Sequence, residues 1–105
     1  MQKIGMTEFQ RRFSSGYCFV VSSDEQEDNK IFSEINTLSH TYTSFVMSLY
    51  PDAVCLIDDR GNRMAISVIE RIMVDEIDNT SYIVAIDYSI AGVSHTIILD
   101  AFVIK

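Results

Sequence analysis

The stretch YIVAIDYSIAGVSHTIILDAFVI, residues 82–104, decides the fold. Tyr82, Val84, Ile86 and Tyr88 alternate with Ile83, Ala85 and Asp87, and the same period of two returns at Ile97, Leu99, Ala101 and Val103. Alternation of this kind is a strand signal, and the Ala91-Gly92 region between the two runs reads as a turn. Both strands also carry apolar side chains on their second face, where Ile83 and Ala85 oppose the Tyr82 set and Ile98, Phe102 and Ile104 oppose the Leu99 set. A sheet with one solvated face does not look like this. One face should meet the helices, and the other needs cover from sheet curvature or from a partner chain. Ile98, Phe102 and Ile104 are accordingly assigned to a homodimer interface.

Working outward, residues 53–57 form a strand, and Asp58 to Asn62 form a turn in which Gly61 supplies the permissive backbone angle. Residues 64–74 read as one bent or bulged strand, because Met64, Ile66 and Val68 alternate and Ile69 then breaks the phase, with a short helix across Val68 to Met73 as the alternative. With a turn at Asp78 and Asn79, four sequential antiparallel strands fill the chain beyond Pro51. Before Pro51 the character differs. Ile31, Ile35, Leu38, Tyr42, Phe45 and Leu49 recur at steps of three and four, which predicts a helix from Asn29 that Asp28 caps and Pro51 stops. Thr41, Thr43, Phe45 and Met47 also alternate, so residues 40–50 remain open between helix and strand. Thr7 serves as N-cap for a short helix to Phe13, and a strand follows over residues 17–21. The expected fold class is α+β: one or two helices followed by a four-stranded antiparallel meander, free to curve into a small barrel. One domain covers 1–105, with residues 1–50 mainly helical around one strand and residues 51–105 antiparallel β.

Charge carries the functional lean. The 105 residues hold 15 acidic and 8 basic side chains, for a formal net charge of −7. The acids cluster as Asp24, Glu25, Glu27 and Asp28, as Asp58 and Asp59, and as Asp75, Glu76 and Asp78. Such a surface repels nucleic-acid phosphates and anionic lipid and attracts basic proteins. Direct nucleic-acid binding is therefore not expected, since only Lys3, Arg11 and Arg12 lie near one another. No apolar run near the N-terminus suits a signal peptide or a membrane span, so a cytoplasmic location and no membrane partner are expected.

No pattern with catalytic spacing emerges. Cys18, His40, Cys55 and His95 have metal-ligand chemistry but lack the close pairs that anchor a zinc site, and two core thiols, a helix-surface His40 and a strand-edge His95 account for them. The acidic run from Asp24 lacks the central Gly and the terminal Glu of a calcium loop. Ser94 beside His95 has no nucleophile elbow around it, and Arg60-Gly61-Asn62 is a hairpin turn rather than a phosphate cradle. No cofactor, metal or catalytic residue is assigned. The expected function is that of a non-enzymatic acidic protein-binding inhibitor or regulator, in which Asp24, Glu25, Glu27, Asp28, Asp75, Glu76 and Asp78 bind the basic groove of a nucleic-acid-handling protein. Small acidic inhibitors encoded by phages and other mobile elements, the anti-CRISPR and anti-restriction proteins, act in this way, and the analogy is one of size and charge. The alternative is a structural or assembly module that homodimerises through its apolar strand face.

Overall fold

The computed structural model describes residues 1–24, 45–50, 52–61 and 63–104. Among the described residues, eight strands and one helix run in the order β1 (Gln2–Ile4), α1 (Met6–Phe13), β2 (Tyr17–Asp24), β3 (Phe45–Tyr50), β4 (Ala53–Asp58), β5 (Arg63–Ile66), β6 (Ile69–Asp78), β7 (Ser81–Ile90) and β8 (Val93–Val103). All eight strands join one antiparallel sheet in the order β1-β6-β7-β8-β2-β3-β4-β5.

This sheet corrects the expected four-stranded meander and the mainly helical first half. Phe45–Tyr50 is a strand, paired residue for residue with β4 from Phe45↔Asp58 to Tyr50↔Ala53. Phe45 and Met47 point into the core while Val46 is exposed, and the pairing with β4 selects the period-two pattern over the helical spacing. The rest of the expected helix, residues 29–44, lies outside the described residues. Gln2–Ile4, too short to show a period, pairs with Ile72–Val74. The helix begins at Met6 with Gly5 at the N-cap and no side-chain cap, so Thr7 lies inside the first turn rather than before it. Residues 64–74 form two strands, β5 and β6, because the backbone bends between them at Val68.

That short link dictates the shape of the sheet. In a flat sheet of this order, six spacings of about 4.8 Å would separate β5 from β6, roughly 29 Å in all. Ile66 and Ile69 are three residues apart, and three Cα steps reach no further than about 11 Å. The sheet must therefore roll until its β5 edge meets the β1–β6 edge. The rolled inner face is the core, where Phe19, Phe45, Val54, Leu56, Ile66, Val84, Ile86, Tyr88, Ile97, Leu99 and Ala101 are all fully buried. α1 lies on this face through Phe9 and Phe13, one helical turn apart, and leaves Arg11 exposed. The Phe13 ring sits 4.7 Å from Tyr17, 5.2 Å from Phe9 and 5.5 Å from Tyr82 between centroids. Arg12 covers that end of the core, its guanidinium 5.2 Å from the Phe13 ring and 5.8 Å from Tyr82.

The tight link has a local cost. Val68 has φ 53°, a left-handed conformation unfavourable for a β-branched residue, and its side chain is 65% exposed. Its carbonyl accepts from the Ser89 amide at 3.1 Å, a bond that any side chain would leave in place. Val68→Asn should therefore raise the unfolding free energy by about 0.5–1 kcal/mol, read as a higher urea midpoint at unchanged slope. An unchanged or lower midpoint would show that Val68 contributes packing that outweighs its backbone strain.

Candidate partner-docking face

Side chains alternate across the sheet, so every residue that points into the roll has neighbours that point to solvent. On the outward side of β6, β7, β8 and β2 the register assembles four rows. Ser81, Phe102 and Cys18 form the first; Asp75, Ile83, Asp100 and Val20 the second; Met73, Ala85 and Ile98 the third; Arg71, Asp87 and Thr96 the fourth. Every member of the second and third rows is half-buried by its neighbours alone. Phe102 is 41% exposed and Ile104, just past the end of β8, is 48% exposed.

The second row is the unusual one. Asp75 and Asp100 flank Ile83 directly, one from each neighbouring strand, which sets the two carboxylates about 10 Å apart. Neither makes an ion pair or hydrogen bond among the described residues. The fourth row is internally satisfied. Arg71 donates through Nε to Asp87 Oδ2 at 2.8 Å, with Nη2 at 2.7 Å, and the Thr96 hydroxyl donates to Asp87 Oδ1 at 2.7 Å.

The structure disperses the acidic residues singled out by sequence. Asp75 belongs to the outward face, whereas Glu76 pairs in register with Tyr82, whose ring meets α1. Asp78 caps its own turn, where Oδ1 accepts from the Thr80 amide and hydroxyl at 2.8 Å each and from the Ser81 hydroxyl at 3.1 Å. Asp24 ends β2, and Glu25, Glu27 and Asp28 lie outside the described residues. Asp58 is buried, and its carboxylate accepts from the Arg60 amide at 2.9 Å. Of the assigned dimer residues, Ile98 and Phe102 share the outward face. Asp100 and Ile83 were missed as site residues, although alternation already placed Asp100 between Ile98 and Phe102 on an otherwise apolar side.

The remaining chemistry-bearing residues do not converge on a reaction. Ser94 and His95 are neighbours on a strand and so point to opposite sides; the Ser94 hydroxyl donates to Glu70 Oε1 at 2.9 Å, while the His95 ring lies 5.5 Å from Tyr88. Cys18 and Cys55 are free thiols, the first half-buried and the second buried. Among the described residues no group of three or more His, Cys, Asp or Glu side chains is placed to hold a metal ion, and no helix is long and apolar enough to cross a membrane.

Asp87 makes the fourth row sensitive to acid. The Thr96 hydrogen bond and the Arg71 guanidinium hold its carboxyl below the usual carboxylate range, against an opposing effect of burial. Because the folded-state value is the lower one, its contribution is present above about pH 4 and is lost as acid carries the group through that value. Asp87→Asn should cost about 1 kcal/mol near neutrality and flatten the acid limb of the stability–pH curve. Asp78, held low chiefly by the Thr80 amide, keeps part of that slope in the variant. An acid limb as steep as that of the wild type would show that Asp87 titrates alike in both states.

No protein-family model matches the chain, and no curated protein and no solved structure matches it.

Proposed function

We propose that this chain is a cytoplasmic, non-enzymatic inhibitor or regulator that docks the outward face of β6, β7, β8 and β2 on a basic protein. The observation that carries this reading is the row Asp75, Ile83, Asp100 and Val20, in which two carboxylates without partners among the described residues flank an apolar centre. An apolar anchor supplies affinity, and unpaired charge set in low-dielectric surroundings supplies steering and selectivity for positive surfaces. A partner whose groove normally holds nucleic-acid phosphates has the complementary charge, and occupation of that groove would displace its substrate, as small acidic inhibitors of mobile elements do.

The test is capture by the immobilised chain from extract of its native host at low and high salt, beside Asp75→Asn/Asp100→Asn. The expected result is a nucleic-acid-binding protein retained by the wild type, released by salt, lost with the double variant and competed by duplex DNA. Equal retention by both proteins would remove the carboxylates from the function. Phe102, Val46 and Ile104, exposed where the face carries no paired charge, favour a second reading in which two copies associate. Sedimentation distinguishes the two: a salt-insensitive dimer that Phe102→Asp converts to monomer supports self-assembly.

A further inference from the structure

β1 covers only part of the edge it pairs with. Its ladder with β6 ends at Ile4↔Ile72, where the chain leaves through Gly5 to begin α1, while β6 runs back to Ile69. Among the described residues no strand pairs with residues 69–71 on that side. A cavity of about 430 Å³ opens there, lined by residues 3–6 and 68–72 together with Asp52 of the β3–β4 turn. Consecutive strand residues face opposite sides of a sheet, so a cavity lined by unbroken runs meets β1 and β6 at their edges, where the main chain is open. Asp52 and Val68 are two of the three non-glycine residues with left-handed backbone among the described residues, at φ 58° and 53°, and Val68 leaves an apolar side chain 65% exposed. Strain of this kind costs the free chain stability and gathers where a ligand is held. Gly5, by contrast, has φ −80°, which any residue adopts, and a Cβ there would meet nothing within 4 Å. Neither the backbone nor the packing of the free chain requires a glycine, and its effect is to keep the slot open.

We propose that this slot takes an extended segment of the protein partner, which continues the line of β1 along the open edge of β6 and sets one apolar side chain against Met6, Val68 and Ile69. An unpaired strand edge is a template for another extended main chain, and these three are the lining apolar residues that are not fully buried. The rim carries Lys3, Asp52 and Glu70, charges of both signs, and Arg71 is held by Asp87, so it selects a polypeptide rather than a small ion. Arg71 also belongs to the fourth row of the outward face, which puts slot and face within reach of one partner. The identity of the occupant as the partner's chain rests on the docking reading.

The test uses the full chain and the capped peptide acetyl-Lys-Val-Lys-Val-Lys-amide as probe, at high salt to screen the acidic surface, followed by NMR through the amides of Gly5 and residues 69–71. Saturable shifts with a dissociation constant on the order of millimolar are expected. Strand pairing uses the amides of alternate residues only, so N-methylation of the valines and of the lysines, in two separate peptides, should weaken binding at least about fivefold in one and little in the other. Gly5→Leu, which meets no atom of the free chain at its Cβ, should fill the slot and weaken the unmodified peptide by a similar factor while the remaining spectrum stays that of the wild type. Shifts that do not saturate, loss of binding with both methylated peptides or with neither, or full binding by a folded Gly5→Leu chain would overturn the slot. Concentration-dependent shifts of the same amides in the chain alone would assign it to a second copy and overturn the partner segment. The peptide needs no partner protein, so slot and docking face fail independently: the first in these titrations, the second by unchanged capture with Asp75→Asn/Asp100→Asn.

Discussion

Phe13→Ala lowers the unfolding free energy by about 3–5 kcal/mol, a large share of the usual total of about 5–15 kcal/mol. Phe13 is fully buried, and its ring meets Phe9, Tyr17, Phe19 and Tyr82. Those partners come from the helix and from two strands that lie apart in the sequence, so no single side chain can close the void left by truncation. The eight-residue helix also depends on its two phenylalanines, because a helix this short is not stable by itself. Urea denaturation followed by circular dichroism supplies the measurement, with Phe102→Ala as an outward-face control expected to cost under about 1 kcal/mol. Equal effects of the two substitutions would mean that α1 is not the closure of the core.

Ile83→Arg abolishes partner capture while leaving the fold intact. The substitution places a cation between Asp75 and Asp100 in the same cross-strand row, where opposite charges directly across a sheet are mildly stabilising. It offsets one of the two carboxylate charges from within and removes the apolar centre of the face. Loss of a central anchor alone typically weakens binding by about 2 kcal/mol or more, and quenching the steering charge adds to it, so affinity should fall by at least about 100-fold. The urea midpoint should stay within about 1 kcal/mol of wild type. Capture at wild-type strength by a folded Ile83→Arg chain would move the functional surface away from this face.

Legibility in the sequence followed the period of the apolar pattern. The alternation in residues 82–88 and 97–103 identified β7 and β8, and Ala91-Gly92 forms the two-residue turn between them, with φ 51° and 80°. The apolar residues on both sides of these strands announced an outward face with unusual character. Two kinds of information were not legible. Phe45 to Tyr50 satisfies helical and strand spacing at once, and only pairing with β4, a tertiary contact, decides between them. The acidic runs were equally opaque, because contiguity in sequence is not contiguity in space: Asp75, Glu76 and Asp78 point to different surroundings. Asp75 and Asp100, 25 positions apart, flank one isoleucine through a register, shifted between Glu76 and Asp78, that the local pattern cannot disclose.

That strand order also governs how the chain acquires its structure during synthesis. β3, β4 and β5 pair with their sequence neighbours, as do β6, β7 and β8, so each set can assemble soon after it leaves the ribosome. β2 meets its sequence neighbour β3 at Phe19↔Phe45, but its long pairing must wait, since Tyr17 pairs with Val103, and β8 is the strand that joins the two halves of the sheet. Until β8 emerges, the nascent chain holds two separate ribbons whose apolar faces and open edges have no common core. Closure of so non-local a pairing is slow and exposes the chain to aggregation. A nascent chain halted before residue 97 should accordingly be trapped by chaperones and cleaved readily by protease, and release of the remaining residues should bring protection to the whole sheet in one cooperative step.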